Sequence, residues 1–226
     1  MIDVFITFFD KNIMQRIITG LIFVFLFITA ILIGGVYFNL FFLLILALIL
    51  YEINISLTNN YFIKIVINTI TILSLFNFII LRFVLGEYAV SYLLYIVFSI
   101  WIFDSFSLIG GKLLNGKKLF PKISPNKTYS GLISGFLSLF VISFIFLFSI
   151  NLLKFELIIL TMLIGLLAFI GDALESYFKR KLNIKDSGSL LPGHGGFLDR
   201  MDAFILIFFI HLLISLFGYN YLYLYV

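Results

Sequence analysis

Residues 129–172 read YSGLISGFLSLFVISFIFLFSINLLKFELIILTMLIGLLAFIGD, and this stretch decides the class of fold. It holds two apolar runs, 129–150 and 154–172, on either side of a short polar link at Asn151. A helix needs roughly 20 mostly apolar residues to cross a bilayer, and these runs are continuous rather than alternating. Because lipid leaves no water for open backbone groups, each run is predicted to be a transmembrane helix.

Further apolar runs extend this interpretation to the whole chain. The predicted fold class is all-α: a polytopic integral membrane protein of about seven transmembrane helices. The predicted spans are 17–34, 36–51, 61–81, 89–110, 129–150, 154–172 and 203–218. A tight hairpin is expected at Gly34-Gly35, between the first two spans. No internal repeat or linker is visible, so residues 1–226 are expected to form a single membrane domain.

The composition supports a membrane protein and excludes several kinds of site. Of the 226 residues, 63% are hydrophobic and only 12% are charged, which is far from the composition of soluble domains. The 30 Phe and 12 Tyr residues suit lipid-facing surfaces and interfacial belts. The chain has no cysteine, so disulfides, iron–sulfur clusters, thiolate zinc sites and cysteine nucleophiles are excluded.

The 15 Lys and Arg residues predict the orientation in the membrane. With seven spans, all of them except Arg82 and Lys154 fall on one side, and the positive-inside rule makes that side cytosolic. The heavy use of Ile, Phe, Asn and Lys suggests an AT-rich bacterial genome. The expected location is therefore a bacterial cytoplasmic membrane, with the catalytic loops at the cytosolic face.

Two stretches, 103–131 and 171–202, interrupt the apolar sequence and hold the candidate catalytic residues. Asp104, Asp172 and Glu175 each lie near the predicted cytosolic end of a span. Acids at this depth are costly and usually functional. The alternative is a helix-end carboxylate that headgroups solvate and a nearby lysine pairs.

Helical spacing groups the acids on two faces. Asp172, Ser176 and Lys179 lie at positions i, i+4 and i+7, on one face of a helix. Asp199 and Asp202, at i and i+3, form a second acidic face at the start of the seventh span. Carboxylates with few competing histidines suit a hard cation with oxygen ligands, so Mg²⁺ is the expected cofactor.

Basic residues and glycine-rich turns surround the acids, and with a metal they predict a phosphate site. The alternative is that the lysines only fix topology and bind anionic headgroups, and for Lys117 and Lys118 both interpretations stay open. Residues 111–117 match half of a phosphate-loop motif, but no Ser or Thr follows and no strand precedes, so the match is rejected. His194 suits either a turn or an anion or metal contact, and His211 is expected to pack between helices.

The run SYFKRKLNIKDSGSLLPGHGGFLDRMD, residues 176–202, resembles the signature of the phosphatidate cytidylyltransferase family over its full length. SPNKT at 124–128, with Asp104 before it and Gly131 after it, resembles the family's second common block. The resemblance implies transfer of CMP from CTP to phosphatidate in phospholipid biosynthesis, giving CDP-diacylglycerol and pyrophosphate, with Mg²⁺ required. The chain is shorter than such relatives commonly are.

The resemblance also implies roles for individual residues. Asp172 and Asp199 are the expected metal ligands. The expected substrate- and cofactor-binding residues are Ser124, Lys127, Thr128 and Ser176. The expected catalytic residues are Asp172, Lys179, Arg180, Lys185, Asp186, His194, Asp199, Arg200 and Asp202. The expected partners are CTP, phosphatidate and membrane lipid, with no nucleic acid, and family members are usually homodimers.

Three other functions are weighed against this one. A prenyl-lipid cytidylyltransferase or a polyprenol kinase is the nearest, but the full 176–202 signature argues against both. An ion-coupled transporter would more often place charges at mid-membrane and show inverted repeats. A non-catalytic scaffold would not predict metal-dependent CTP binding.

Overall fold

A computed structural model of the chain describes residues 11–56, 61–182, 184, 187–188, 190–191 and 195–216. This part contains seven α-helices and one two-stranded sheet. The helices are α1 Lys11–Ile33, α2 Gly35–Ser56, α3 Tyr61–Val84, α4 Ala89–Leu113, α5 Tyr129–Ser149, α6 Phe155–Lys181 and α7 Leu198–Leu216. Each predicted span corresponds to one of these helices, which confirms the predicted fold class; the last two residues of the seventh span lie outside the described residues.

The helices α1 to α6 are long and apolar enough to cross a membrane. The seventh, α7, has 19 residues and carries Asp199, Arg200 and Asp202 near its start, so its apolar part begins at Ala203. The two acids of α7 therefore precede its apolar part. They lie at the same end of the bundle as the last turns of α6, because Lys179 of α6 contacts Asp199. That this end faces the cytosol stays a prediction.

The predicted hairpin between the first two helices is confirmed. Only Gly34 separates α1 from α2, and its φ of +68° lies in the left-handed region that glycine adopts without strain. A Cβ at Gly34 would lie 2.6 Å from the guanidinium of Arg82 on α3. Gly34 therefore allows both the sharp turn and the close approach of Arg82.

Phenylalanine rings fill the interior between α1, α2, α3 and α7. Phe42 packs edge-on against Phe27 and Phe78, with ring centroids 5.1 and 4.5 Å apart. Phe78 packs in the same way against Phe208 at 4.6 Å, and all four rings are buried. Other rings, such as Phe25, are exposed. The prediction that phenylalanines suit lipid-facing surfaces therefore holds for only part of them, because aromatic rings also fill the space between helices.

Hydrogen bonds join α3 to α7 within the apolar interior. Ser74 Oγ donates to the Ile205 carbonyl at 2.7 Å, and Asn77 Nδ2 donates to the Phe208 carbonyl at 2.9 Å. Asn77 Nδ2 also lies 3.0 Å from Nδ1 of His211. Interhelical bonds of this kind contribute about 1 kcal/mol each in membranes. His211 therefore packs between helices, as predicted, and α7 is held in register beside α3.

Small residues let α4 and α5 pack closely. A Cβ on Gly110 would lie 2.0 Å from Ser134 Oγ, and a Cβ on Gly135 would lie 2.1 Å from Ser107 Oγ. Backbones approach this closely only where one partner lacks a side chain. The contact fixes both ends of the polar segment that links the two helices.

That linking segment forms a β-hairpin, which the sequence did not predict. Strand β1, Lys118–Phe120, pairs antiparallel with β2, Ser124–Thr128. Thr128 then caps α5, because its Oγ1 accepts the N–H of Gly131 at 3.1 Å. Residues 111–117 run from the last turn of α4 into the loop before β1, so a helix and not a strand precedes them. The rejection of the phosphate-loop match is confirmed.

Candidate active site

Three carboxylates meet where α6 ends and α7 begins. Asp172 and Glu175 lie on α6, and Asp202 lies near the start of α7. One oxygen of each carboxylate lies within 4.8 Å of the others. The helices come close at Gly171, where a Cβ would lie 3.0 Å from the Asp202 carbonyl oxygen. Carboxylate oxygens are the ligands that hard cations prefer, so this trio, the carboxylate cluster, is the candidate metal site.

Lys127 of the β-hairpin reaches the carboxylate cluster. Its Nζ lies 3.0 Å from Oδ2 of Asp172 and donates to the Phe169 carbonyl at 3.1 Å. The same ammonium lies 4.7 Å from the centre of the Phe169 ring, within cation–π range. The hairpin is therefore held on α6 by the side chain that also supplies a positive charge beside the cluster.

Lys179 joins the carboxylate cluster to Asp199. Its Nζ lies 2.9 Å from Oε2 of Glu175 and 2.9 Å from Oδ1 of Asp199. The three side chains are 15%, 10% and 9% exposed, so solvent screens these contacts little. Removal of one partner from such a group leaves the remaining charge buried without compensation.

Both oxygens of Asp199 already accept hydrogen bonds from donors of the chain itself. Besides Lys179, it accepts the N–H of Ser187 at 3.2 Å and the N–H of Gly196 at 2.9 Å. Burial alone would raise the pKa of Asp199, but the hydrogen bonds that it accepts, chiefly from the Glu175 carboxyl and the Gly196 N–H, lower it to about 2. Asp199 is therefore ionised at neutral pH.

Asp202 has the opposite electrostatic environment. Burial and the nearby negative charge of Asp172 raise the pKa of Asp202 to about 8. Its Oδ1 accepts the N–H of Ala203 at 2.8 Å, and none of the salt bridges among the described residues involves it. Negative charge thus exceeds positive charge at this carboxylate. A bound divalent cation would relieve that excess, so the donor set fits Mg²⁺.

The predicted metal ligands, Asp172 and Asp199, occupy different surroundings. Asp172 belongs to the carboxylate cluster, whereas both Asp199 oxygens face Lys179 and backbone N–H groups. The i, i+3 spacing correctly placed Asp199 and Asp202 on the first turns of one helix. It did not show that only Asp202 turns towards Asp172. The ligand role of Asp199 stays a prediction.

A cavity of about 440 Å³ with a mixed lining lies between α1, α4 and α7, and we name it the polar cavity after its charged residues. Its acidic side is formed by Asp104, Asp199 and Asp202, and Arg200 adds a positive charge at its wall. Asp104 thus joins the site from α4, the helix that leads into the first polar block. With a divalent cation bound at these carboxylates, the size and the charges would suit a polar ligand that carries phosphate groups.

An apolar cavity of about 120 Å³ lies between α3, α6 and α7. Its lining includes Ile67, Ile70, Leu174, Phe178 and Ile205. Glu175, Lys179 and Asp202 close its polar end. Asp202 therefore borders both cavities, one apolar and one polar.

Two other predicted residues, Ser176 and Arg180, contact neighbouring parts of the site. Ser176 Oγ lies 3.4 Å from Oδ1 of Asp172. Arg180 donates to the carbonyls of Ile123, in the turn of the hairpin, and Ile184, after α6, at 3.2 and 3.3 Å. Arg180 therefore ties the first polar block to the second through backbone contacts.

The remaining predicted residues divide into two groups. Ser124 begins β2 and Thr128 ends it as the cap of α5, so both lie on the hairpin beside Lys127. Three further predicted residues lie outside the described residues: Lys185, Asp186 and His194.

Glu52 belongs to the same end of the bundle and was missed in the sequence. It lies on α2, only 3% of its surface is exposed, and its Oε2 accepts the N–H of Leu198 at 3.1 Å. The signal was present: an acid at the end of an apolar span, like Asp104 and Asp172. The predicted span ended at residue 51, which left Glu52 in a presumed loop.

Acids and lysines gathered at one end of a membrane helix bundle indicate an enzyme that handles phosphate groups. The family model described as "Cytidylyltransferase family" matches residues 60–217, and the chain belongs to this family. The family resemblance that residues 176–202 carry is thereby confirmed.

Three relatives illustrate the similarity, each named phosphatidate cytidylyltransferase. The protein of Rickettsia bellii (strain RML369-C) is 52% identical over 115 residues, which are 47% of this chain and 50% of the relative. That of Staphylococcus haemolyticus (strain JCSC1435) is 41% identical over 118 residues, 51% and 45% of the two chains. That of Bacillus subtilis (strain 168) is 38% identical over 137 residues, 59% and 51% of the two chains. The chain spans about half the length of the curated relatives it matches.

Proposed function

We propose that this protein transfers CMP from CTP to phosphatidate. A phosphate oxygen of the lipid forms a bond to the α-phosphorus of CTP, the bond from that phosphorus to the bridging oxygen breaks, and pyrophosphate leaves. The product is CDP-diacylglycerol, an intermediate for phospholipid biosynthesis. The observation that carries the proposal is the carboxylate cluster, flanked by Lys127 and Lys179, at the border between a polar and an apolar cavity.

The residues present suit this chemistry. The lipid phosphate is already ionised at neutral pH, so the reaction needs no general base. It needs two anions to be brought together and their charge to be neutralised. Lys127 and Lys179 supply fixed positive charge, and the Phe169 carbonyl and ring orient the Lys127 ammonium. In this proposal CTP enters the polar cavity from water, and part of the lipid enters the apolar cavity from the bilayer.

We propose Mg²⁺ as the cofactor, held by Asp172, Glu175 and Asp202. The support is the approach of their oxygens and the pKa of Asp202, which burial and then nearby negative charge raise to about 8. When bound, the ion would neutralise charge on the phosphate oxygens of the substrates. The alternative set that the sequence predicted, Asp172 with Asp199, would require Asp199 to release donors that it now binds.

The proposed location is a bacterial cytoplasmic membrane, with the carboxylate cluster facing the cytosol. The lopsided distribution of Lys and Arg and the bacterial sources of the relatives support this location. A homodimer is proposed from the family resemblance. The same site would suit a cytidylyltransferase for a prenyl-lipid phosphate, and the choice of acceptor lipid is left to the assay.

The test is CTP-dependent formation of CDP-lipid by purified protein in detergent, with and without Mg²⁺. We expect product with phosphatidate only when Mg²⁺ is present. Asp202→Asn should lower the rate by more than about 100-fold, beyond the usual effect of residues outside the ligand shell. The control is Glu156→Gln, an exposed acid at the other end of α6, which should keep wild-type activity.

Two results would overturn the proposal. One is the absence of product from folded wild-type protein with every phosphatidate tested. The other is an Asp202→Asn variant as active as Glu156→Gln. Product with a prenyl phosphate but not with phosphatidate would reassign the acceptor lipid.

A further inference from the structure

Glu52 is a buried carboxylate on a helix outside both polar blocks. It lies near the end of α2, with 3% of its surface exposed, and it precedes the family-matched residues 60–217. Burial of a carboxylate is costly unless hydrogen bonds compensate. Its position is therefore maintained by specific partners, and these partners indicate what it does.

The hydrogen-bond donor to Glu52 is a backbone group at the start of α7. Glu52 Oε2 accepts the N–H of Leu198 at 3.1 Å. Leu198 is the first residue of α7, and the first N–H groups of a helix have no partner within it. Glu52 thus caps α7 from another helix, and its negative charge lies at the positive end of the helix dipole.

Two glycines let the segment before α7 lie directly against Glu52. A Cβ on Gly188 would lie 2.5 Å from Glu52 Oε1, and a Cβ on Gly196 would lie 2.6 Å from Glu52 Oε2. The same segment also faces Asp199, because the N–H groups of Ser187 and Gly196 donate to it. Ser187, Gly188 and Gly196 are therefore held between two carboxylates, with Glu52 on one side and Asp199 on the other.

We infer that Glu52 is a positioning residue for the active site: it fixes Gly188, Gly196 and the first turn of α7, and through them orients Asp199 and Asp202. Among the described residues no hydrogen bond joins Glu52 to either of these two acids, so its effect passes through the backbone. The kinetic part of this inference rests on the proposed cytidylyltransferase activity. The conformational part does not, and each part has its own measurement.

The kinetic test uses Glu52→Ala and Glu52→Gln. Glu52→Ala should lower kcat by about 10- to 100-fold, the usual effect of removing a residue that orients a ligand, while KM for CTP changes less than about threefold. Glu52→Gln keeps one oxygen acceptor and should lose less. The matched control is Ile49→Ala, one turn earlier on α2 and fully buried, which removes packing without touching the segment. It should lower stability and leave kcat within about threefold of wild type.

The conformational test exploits the absence of cysteine from the chain. Leu190→Cys, at a position where the side chain is 39% exposed, carries a nitroxide label, and the mobility of the label is measured by electron paramagnetic resonance. The label should be several times more mobile in Glu52→Ala, less so in Glu52→Gln, and unchanged in Ile49→Ala. Glu52→Gln keeps the test valid if Glu52→Ala fails to fold.

The outcomes test the positioning role of Glu52 separately from the proposed function. Unchanged label mobility in the Glu52 variants, or an equal increase in Ile49→Ala, would overturn the positioning role. A normal kcat in Glu52→Gln together with a mobile label would show that the segment does not orient the active site, and would also overturn it. If the wild-type protein makes no CDP-lipid, the proposed function fails, and the label measurement still decides whether Glu52 fixes the segment.

Discussion

Replacement of Lys179 by methionine should destabilise the protein because it leaves the buried carboxylate of Asp199 without its cation. The Lys179 Nζ lies 2.9 Å from Asp199 Oδ1, and the Asp199 side chain is only 9% exposed. At about 3 Å and an effective dielectric constant near 20, these opposite charges attract by roughly 6 kcal/mol. Desolvation of the two ions offsets part of that attraction, and removal of one partner of a buried pair usually costs about 3–5 kcal/mol.

A second substitution tests whether the uncompensated charge of Asp199 is the cause. Lys179→Met combined with Asp199→Asn removes the buried charge together with its partner, so most of the loss of about 3–5 kcal/mol should return. The proposed cytidylyltransferase activity should not return, because the positive charge beside the carboxylate cluster is still missing. The free energy of unfolding is measured in mixed micelles with increasing dodecyl sulfate, followed by the fluorescence of Trp101, the one tryptophan of the chain.

Lys181→Met, an exposed residue in the last turn of α6, is the control and should change stability by less than about 0.5 kcal/mol. The reasoning is refuted if Lys179→Met is as stable as wild type. It is also refuted if the double variant is no more stable than Lys179→Met alone.

Two further predictions concern packing and pH. Gly110→Ala would place a methyl group 2.0 Å from Ser134 Oγ, so it should cost about 1–3 kcal/mol of stability, and adding Ser134→Gly should restore most of it in thermal unfolding. No restoration would contradict the close α4–α5 contact. The pKa of Asp199 is about 2 in the folded protein against an ordinary 3.8, so its charge stabilises the fold above about pH 4, and this contribution is lost as pH falls towards 2. Asp199→Asn should therefore lose less stability than wild type between pH 4 and 2, and equal losses would contradict this reasoning.

The helices were predictable because the membrane restricts what an apolar run can do. A run such as 129–150 must satisfy its backbone internally, which leaves the helix as its structure. The ends of helices were less predictable, because they depend on tertiary contacts rather than on hydropathy. The second predicted span ended at 51, whereas α2 continues to Ser56 and carries Glu52 to its partners at the start of α7.

The sequence predicted which residues form the site, but not which of them contact each other. Helical spacing correctly placed Asp172 and Lys179 on one helix, since that relation is local. The contacts of Lys127 with Asp172 and of Lys179 with Asp199 join distant parts of the chain, and no local pattern encodes them. The β-hairpin escaped prediction because SPNKT has little preference for strands, and its pairing is fixed by the helices that flank it.

The position of Asp202 at the border of the polar and apolar cavities affects how the proposed reaction ends. CTP and phosphatidate arrive from different solvents, but CDP-diacylglycerol joins a nucleotide head and two acyl chains in one molecule. Pyrophosphate can diffuse away into water, whereas the acyl chains hold the lipid product in the bilayer. Product release is then a lateral movement that carries the nucleotide head past Asp202. Turnover is therefore expected to depend on the fluidity of the surrounding lipid.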